Sequence, residues 1–310
     1  MWIIHFQDRA NLAPMITLRA LGKPQYLFRP SQILRRLLQE ISPRTAAGDV
    51  RLPWGLRISL DQGDTVSEAI RHQGMYDLVT TEVLWRLTSR GEHTVDVGAN
   101  IGYVTSLFAV RTGPTGQVFA FEPHPKTYLV LQRNATRWSA QPGCGRITSV
   151  QAALSDADGT AVLDTLEGRD SNASHARISS GGPGVQVQAL QFDSHFAAKN
   201  VFGVVKVDAE GHEAAIFAGM AKHLRFGWIR DIVYEENEGY PAASHKVLES
   251  AGYAVFAFQE QLSGPRMLAA TGNPRVKRPY DIAPSYLATR DPDRARHLLS
   301  RKGWQSLQGR

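Results

Sequence analysis

The chain has 310 residues, of which 43% are hydrophobic and 21% charged, the composition of an ordinary globular protein long enough to bury a core without staples. The net charge is +6 and the pI about 9.5. The single cysteine, Cys144, excludes an internal disulfide and a cysteine-built zinc site.

The first residues, Met1-Trp2-Ile3-Ile4-His5-Phe6-Gln7-Asp8, lack a basic n-region and a full apolar h-region, so they do not read as a signal peptide. No apolar run reaches about 18 residues. The expectation is a cytoplasmic protein without a transmembrane helix. The segment 15–41 is helix-permissive but interrupted by Gly22, Pro24 and Pro30. Residues 53–60 read as a turn and a short strand, and 65–90 as two helices broken near Gly74. Residues 1–70 are assigned to an N-terminal accessory region.

From Thr94 the pattern changes. Thr94-Val95-Asp96-Val97 reads as a buried strand, Gly98 to Gly102 as a turn, and Tyr103 to Arg111 as a helix. Strands follow at 117–121, 147–153, 203–207, 229–235 and 253–258, with helices at 125–138, 212–224 and 244–251. This alternation implies a doubly wound α/β domain with a mostly parallel sheet covered on both faces. The domain is placed at 71–290. The stretch from Asp156 to Gln188 breaks the alternation and contains Ser179-Ser180-Gly181-Gly182-Pro183-Gly184, a loop signature. It reads as an insertion, with a hairpin of 160–165 against 185–190.

The basic charge is uneven. Ten Lys/Arg and three Asp fall between Arg266 and Arg310, and a second basic stretch runs from Arg19 to Arg44. Residues 291–310 are assigned to a basic C-terminal tail. Such ends suit a nucleic acid, an anionic lipid surface or an anionic glycan. No basic and aromatic residues interleave as in RNA-binding modules, so nucleic acid is not expected as a partner. Peripheral membrane association stays open.

Three motifs carry the chemistry. Asp96-Val97-Gly98-Ala99-Asn100-Ile101-Gly102 joins a strand to a helix, where a doubly wound sheet binds ligands. Its Gly-x-Asn-x-Gly spacing departs from the dinucleotide fingerprint Gly-x-Gly-x-x-Gly, which disfavours a nicotinamide dehydrogenase. Val118 to Phe121 then ends in Glu122-Pro123, about 20 residues beyond the glycine turn, where a carboxylate accepts hydrogen bonds from ribose hydroxyls. Finally, Val204-Val205-Lys206-Val207 runs into Asp208-Ala209-Glu210-Gly211-His212-Glu213 at the same end of the sheet.

Together these motifs resemble the FkbM-type methyltransferases, a class I S-adenosylmethionine-dependent family. Two further pieces are similar to it, Gly74-Met75-Tyr76-Asp77 and Ala153-Leu154-Ser155-Asp156-Ala157-Asp158-Gly159, and the resemblance spans about 50–260. It implies a Rossmann-like sheet of seven strands whose last is antiparallel, placed near Ser285 to Thr289. It implies S-adenosylmethionine contacts from Asp96, Gly98, Asn100, Gly102 and Glu122, with the Ala153 backbone beside the adenine. It also implies methylation of hydroxyl groups on sugars and other natural products. The sequence departs from the family's usual Asp-Val-Glu-Gly at Ala209.

Asp208, Glu210 and His212 are the expected catalytic group, with one of them available as base. Glu213 reads as a helix cap or a partner of Lys206, and Glu235 and Glu236 as strand-end residues able to line the crevice. A metal is not expected, because Ile216 fills the second histidine place of a His-Glu-x-x-His pattern. The rival readings are a nucleic-acid methyltransferase and a non-catalytic S-adenosylmethionine-binding protein.

Overall fold

The computed structural model describes residues 48–61, 64–164, 177–179, 184–196, 198–271 and 285–309. The helix-permissive segment 15–41, the basic stretch Arg19–Arg44 and most of the Ser179–Gly184 loop lie outside these residues.

A central sheet is built from β3 (His93–Val97), β4 (Gln117–Phe121), β5 (Arg146–Val150), β10 (Phe202–Val207), β11 (Ile229–Glu235), β12 (Ala254–Gln261), β13 (Gly264–Ala269) and β14 (Ser285–Thr289). Their spatial order is β13-β12-β14-β11-β10-β3-β4-β5. The run from β11 to β5 is parallel, and β14 is antiparallel to both β11 and β12, as expected for Ser285–Thr289. The sheet has eight strands rather than seven, because β13 adds an antiparallel edge through a short turn. Pro265 in β13 is tolerated because an edge strand leaves one row of its amides unpaired in any case.

Helices cover both faces. α1 (Thr65–Gln73), α2 (Leu78–Leu87), α3 (Tyr103–Thr112), α4 (Pro125–Ser139) and α8 (Pro292–Leu299) lie on one side, around a core that includes Trp85, Phe108, Trp138 and Trp304. α5 (Glu213–Gly219), α6 (Ala221–Phe226) and α7 (Ala243–Ser250) lie on the other, around Phe192, Phe202, Phe217 and Tyr234. Alternation along each strand sends Val204 and Val233 to the first core and Val205 and Ile232 to the second.

Several boundaries move from their sequence-based positions. The expected helix 212–224 is two helices that meet at Met220. The expected strand 147–153 divides into β5 and β6 (Ala153–Ser155), which joins a second sheet with β7 (Gly159–Asp164), β8 (Arg177–Ser179) and β9 (Val185–Gln191). In that sheet β7 and β9 pair antiparallel, as the hairpin expectation required.

The 1–70 boundary cuts through α1. β1 (Asp49–Arg51), β2 (Arg57–Ser59) and α1 belong to the main core through Val50, Leu52, Trp54, Ile58 and Ile70. Nor is 291–310 a free tail. Asp291 and Pro292 start α8, and Trp304 and Leu307 are buried. Arg86 donates to the carbonyls of Leu299, Arg301 and Gly303, while Glu82 accepts from the amides of Gln305 and Ser306 at 2.8 Å each. Glu82 and Arg86 are themselves a buried ion pair at 2.6 Å. A polar staple on α2 therefore satisfies main-chain groups of the C-terminal segment that burial would otherwise strand.

Candidate active site

The parallel strands reverse their order of progression between β3 and β10, which opens a crevice at their carboxyl ends. A pocket occupies that crevice. One part is lined by Gly98, Asn100, Glu122, His124 and Ala153, and another by Tyr76, Asp77, Asp208, Glu210 and Glu235. Leu163 of β7 and Ile178 of β8 add an apolar wall, and Thr65 and Val66 of α1 also line it.

The glycine turn is held by close backbone packing. Gly98 has φ of 68°, and a Cβ built there would stand 1.9 Å from the Asp208 carbonyl oxygen. The Asp208 amide donates to the Val97 carbonyl at 3.2 Å, which brings the ends of β3 and β10 together. Asn100 takes a left-handed conformation with φ of 51°. That turns its amide onto Glu122 Oε2 at 2.9 Å, while the His124 amide donates to Oε1, also at 2.9 Å. Glu122 thus ties the turn to β4. Burial pushes its carboxyl up to about 7, against the lowering effect of those two amides.

Asp96 and Gly102 do not line the pocket. Asp96 is fully buried beneath it, accepts from the Thr105 hydroxyl at 2.6 Å, and sits opposite Lys206 in the β3–β10 register. Burial raises its carboxyl above the usual range, with Lys206 opposing. Gly102 starts α3 with φ of 95°, and a Cβ there would press on Leu131 and Trp138 at 2.9 Å. Its glycine requirement comes from helix packing.

Lys206 is the hub of the strand end. Its Nζ donates to the Gly98 carbonyl at 2.8 Å and the Val97 carbonyl at 3.3 Å, and lies 3.3 Å from Asp208 and 3.7 Å from Asp96. Burial works against its charge, but Asp208, Asp96 and Glu235 together outweigh burial and hold the ammonium above its ordinary range.

Of the expected catalytic group, Asp208 and Glu210 line the pocket and His212 does not. His212 Nε2 is 2.9 Å from the Ser155 hydroxyl, and the residue stands at the N-terminus of α5. The chain turns away after Glu210, whose φ is 52°, so the extended alternation that would put Lys206, Asp208 and Glu210 on one face does not continue to His212. Glu213 accepts from the amides of Ala209 at 3.0 Å and Gly211 at 3.2 Å, and so holds the loop rather than Lys206.

Glu235 and Glu236 separate by strand alternation. Glu236 accepts from the Glu238 amide at 2.9 Å and from the Ser244 hydroxyl, away from the pocket. Glu235 faces the pocket on the side of Val233 and Lys206. Burial, then Asp208 and Asp77, push its carboxyl up to about 9. Tyr76 is also raised, by burial and the same carboxylates. Tyr76 lies in the Gly74–Asp77 piece without an expected role in the site; Leu163 and Ile178 carry no motif of their own, although both fall in the Asp156–Gln188 insertion.

Residues 96–255, just over half of the chain, match the methyltransferase FkbM domain. The hexuronic acid methyltransferase AglP of Haloferax volcanii is 26% identical over 178 residues, covering 52% of this chain and 70% of that protein. Methyltransferase 1 of Beauveria bassiana is 29% identical over 182 residues, covering 52% of this chain and 72% of that protein. The crystal structure of methyltransferase FkbM from Methylobacillus flagellatus KT superimposes with a TM-score of 0.40 at 13% identity, over 64% of this chain and 43% of that one. The FkbM domain match over residues 96–255 spans the doubly wound sheet from β3 to β12, the acidic strand end after β4 and the Asp208–Glu213 loop, and the chain belongs to the FkbM methyltransferase family.

Proposed function

We propose that the chain moves the methyl group of S-adenosylmethionine to a hydroxyl of a sugar, a glycan or a related natural product. The observation that carries this reading is the pocket itself, which joins the Glu122 end to the Asp208 and Glu210 end in one cavity.

The residues present fit the cofactor. Each Glu122 oxygen holds one backbone amide and keeps further acceptor capacity for ribose hydroxyls. Leu154, Leu163 and Ile178 offer an apolar wall beside Ala153 for a purine ring. Among the described residues five carboxyl groups line the pocket against one ammonium, an acidic lining that favours a sulfonium cation. When bound, the cofactor supplies an already activated methyl group. The protein's part is to orient the acceptor oxygen, exclude water and take up a proton. Asp208 is a quarter exposed and braced by Lys206, which suits it to accept a hydrogen bond from the acceptor hydroxyl and aim its oxygen. The Haloferax relative's named hexuronic acid substrate supports an acidic sugar as the first acceptor to try.

The test is transfer of radiolabelled methyl from S-adenosylmethionine to uronic-acid oligosaccharides, followed by mild alkali. Alkali-stable label is expected, because a methyl ether survives where a methyl ester hydrolyses. Asp208→Asn should lower the rate by about 10²-fold or more, the scale of a lost proton-handling or orienting group. Alkali-labile label, or transfer unaffected by Asp208→Asn, would contradict the hydroxyl reading.

A further inference from the structure

Lys206 has no charge to spare for the rest of the pocket. Its ammonium is committed to two main-chain carbonyls, to Asp208 and to buried Asp96. Glu235 lies on the same face of the sheet, one residue beyond Tyr234, which pairs with Val207 in register. Among the described residues Glu235 makes no side-chain hydrogen bond and no ion pair. It is nonetheless largely removed from water.

Each element around Glu235 brings a neutral or negative group, Lys206 excepted. The turn between α1 and α2 brings Tyr76 and Asp77, the loop after β10 brings Asp208 and Glu210, and β14 brings Ser285, its partner in register. A carboxyl so placed is stable with its proton on. A cation entering the pocket reverses that preference, because it adds positive charge to the little that Lys206, shared among several partners, supplies.

We propose that Glu235 is the proton-exchanging group of this pocket: protonated in the free protein, it gives up its proton when a sulfonium methyl donor enters, and as a carboxylate it takes the proton of the acceptor hydroxyl. The inference rests on the S-adenosylmethionine reading above. The step balances. The S–CH3 bond breaks with its electron pair left on sulfur, which becomes a neutral thioether. The O–CH3 bond forms, and the hydroxyl proton passes to Glu235. The protein is then back in the protonation state of its free form, with a neutral product in the pocket.

The raised carboxyl supports this role in two ways. The value of about 9 belongs to the pocket without a sulfonium, so the carboxylate regains that basicity as the sulfonium charge is consumed during methyl transfer. The sign of the pH dependence also follows. Binding a sulfonium releases a proton, so affinity for that form rises with pH below the free-state value. Affinity for the neutral thioether product carries no such slope from Glu235. The pocket would thereby discriminate donor from spent product more strongly as pH rises.

The test is calorimetric titration with S-adenosylmethionine and with S-adenosylhomocysteine at neutral pH, in two buffers of different ionisation heat. The wild type should release about half to one proton more with the sulfonium ligand than with the thioether, and its Kd for the sulfonium should tighten up to about tenfold per pH unit. Glu235→Gln should remove that difference and the slope while binding S-adenosylhomocysteine within about threefold of wild type, which also shows that it folds. Asp208→Asn, which removes one of the charges that raise Glu235, should lower the release only in part. Sulfonium binding with no extra proton released, or extra release that survives Glu235→Gln, overturns the role of Glu235 and leaves the cofactor reading standing. Failure of folded wild type to bind either ligand overturns both.

Discussion

Gly98→Ala is expected to destabilise the folded chain by about 2–5 kcal/mol, from a left-handed backbone penalty and from overpacking. The added methyl would stand 1.9 Å from the Asp208 carbonyl oxygen, and main chain on neither side can yield without parting β3 from β10. Relief would come from moving the Asp208 loop, which displaces Asp208, or the Val97–Gly98 turn, whose carbonyls Lys206 holds. The variant should therefore lose both stability and ligand binding. Gly211→Ala separates strain from collision. Gly211 also has a positive φ, 99°, but an added Cβ there meets nothing within 4 Å. Urea unfolding of the two variants should show the larger loss at Gly98. Equal losses would mean that backbone conformation, not the approach of the two strand ends, requires the glycine.

Lys206→Met should cost about 3–5 kcal/mol at neutral pH, the scale of an ion pair broken from one side in a protein interior. The methionine fills the space but leaves Asp96 fully buried with no counter-charge and Asp208 unbraced. Asp96 is already raised by burial with Lys206 present, so its removal raises the folded carboxyl further. A group whose folded value lies above its unfolded one keeps its stability at low pH and loses it as pH rises through the folded value. The deficit of Lys206→Met should accordingly shrink as pH is lowered from 8 to 5, in denaturant titrations at each pH. Asp96→Asn added to Lys206→Met should restore much of the loss. A deficit independent of pH would place the damage in packing rather than charge.

The parts of this molecule that were legible in its sequence share one property: their signal is local. Thr94–Val97, Gln117–Phe121 and Ile229–Glu235 are apolar runs with flanking turns, and they form strands at nearly those bounds. The Gly98–Gly102 turn and Glu122 follow from the same local logic. What was hidden depends on long-range partners. Trp304 and Leu307 are scattered apolar residues in a basic segment, and their burial depends on the main core and on the Glu82–Arg86 staple more than 200 positions away. The basic charge of that segment therefore gave a misleading picture of a loose tail.

The active site divides in the same way. Glu235 and Glu236 are indistinguishable by type and adjacent in the chain, yet one enters the pocket and the other holds the Ser244 hydroxyl. Only the strand's pleat and its register against β10 decide between them. His212 failed as a pocket residue for the converse reason. In an extended chain Lys206, Asp208 and Glu210 share one face, but that alternation stops at the left-handed Glu210, and the His212 ring ends on Ser155. Asp96, expected among the cofactor contacts, lies buried below the pocket beside Lys206.

The most direct measurement is the binding of S-adenosylmethionine by calorimetry to wild type, Glu122→Ala, Glu122→Gln and Asp208→Ala, with folding of each checked by circular dichroism. Micromolar binding is expected for the wild type. Glu122→Ala should weaken it by about 100-fold or more, since two hydrogen bonds to a charged group contribute roughly 1.5–3 kcal/mol each. Glu122→Gln should fall between the two, and Asp208→Ala should bind nearly as the wild type does. No binding by folded wild type, or binding indifferent to Glu122, would contradict the assignment of this pocket to the methyl donor.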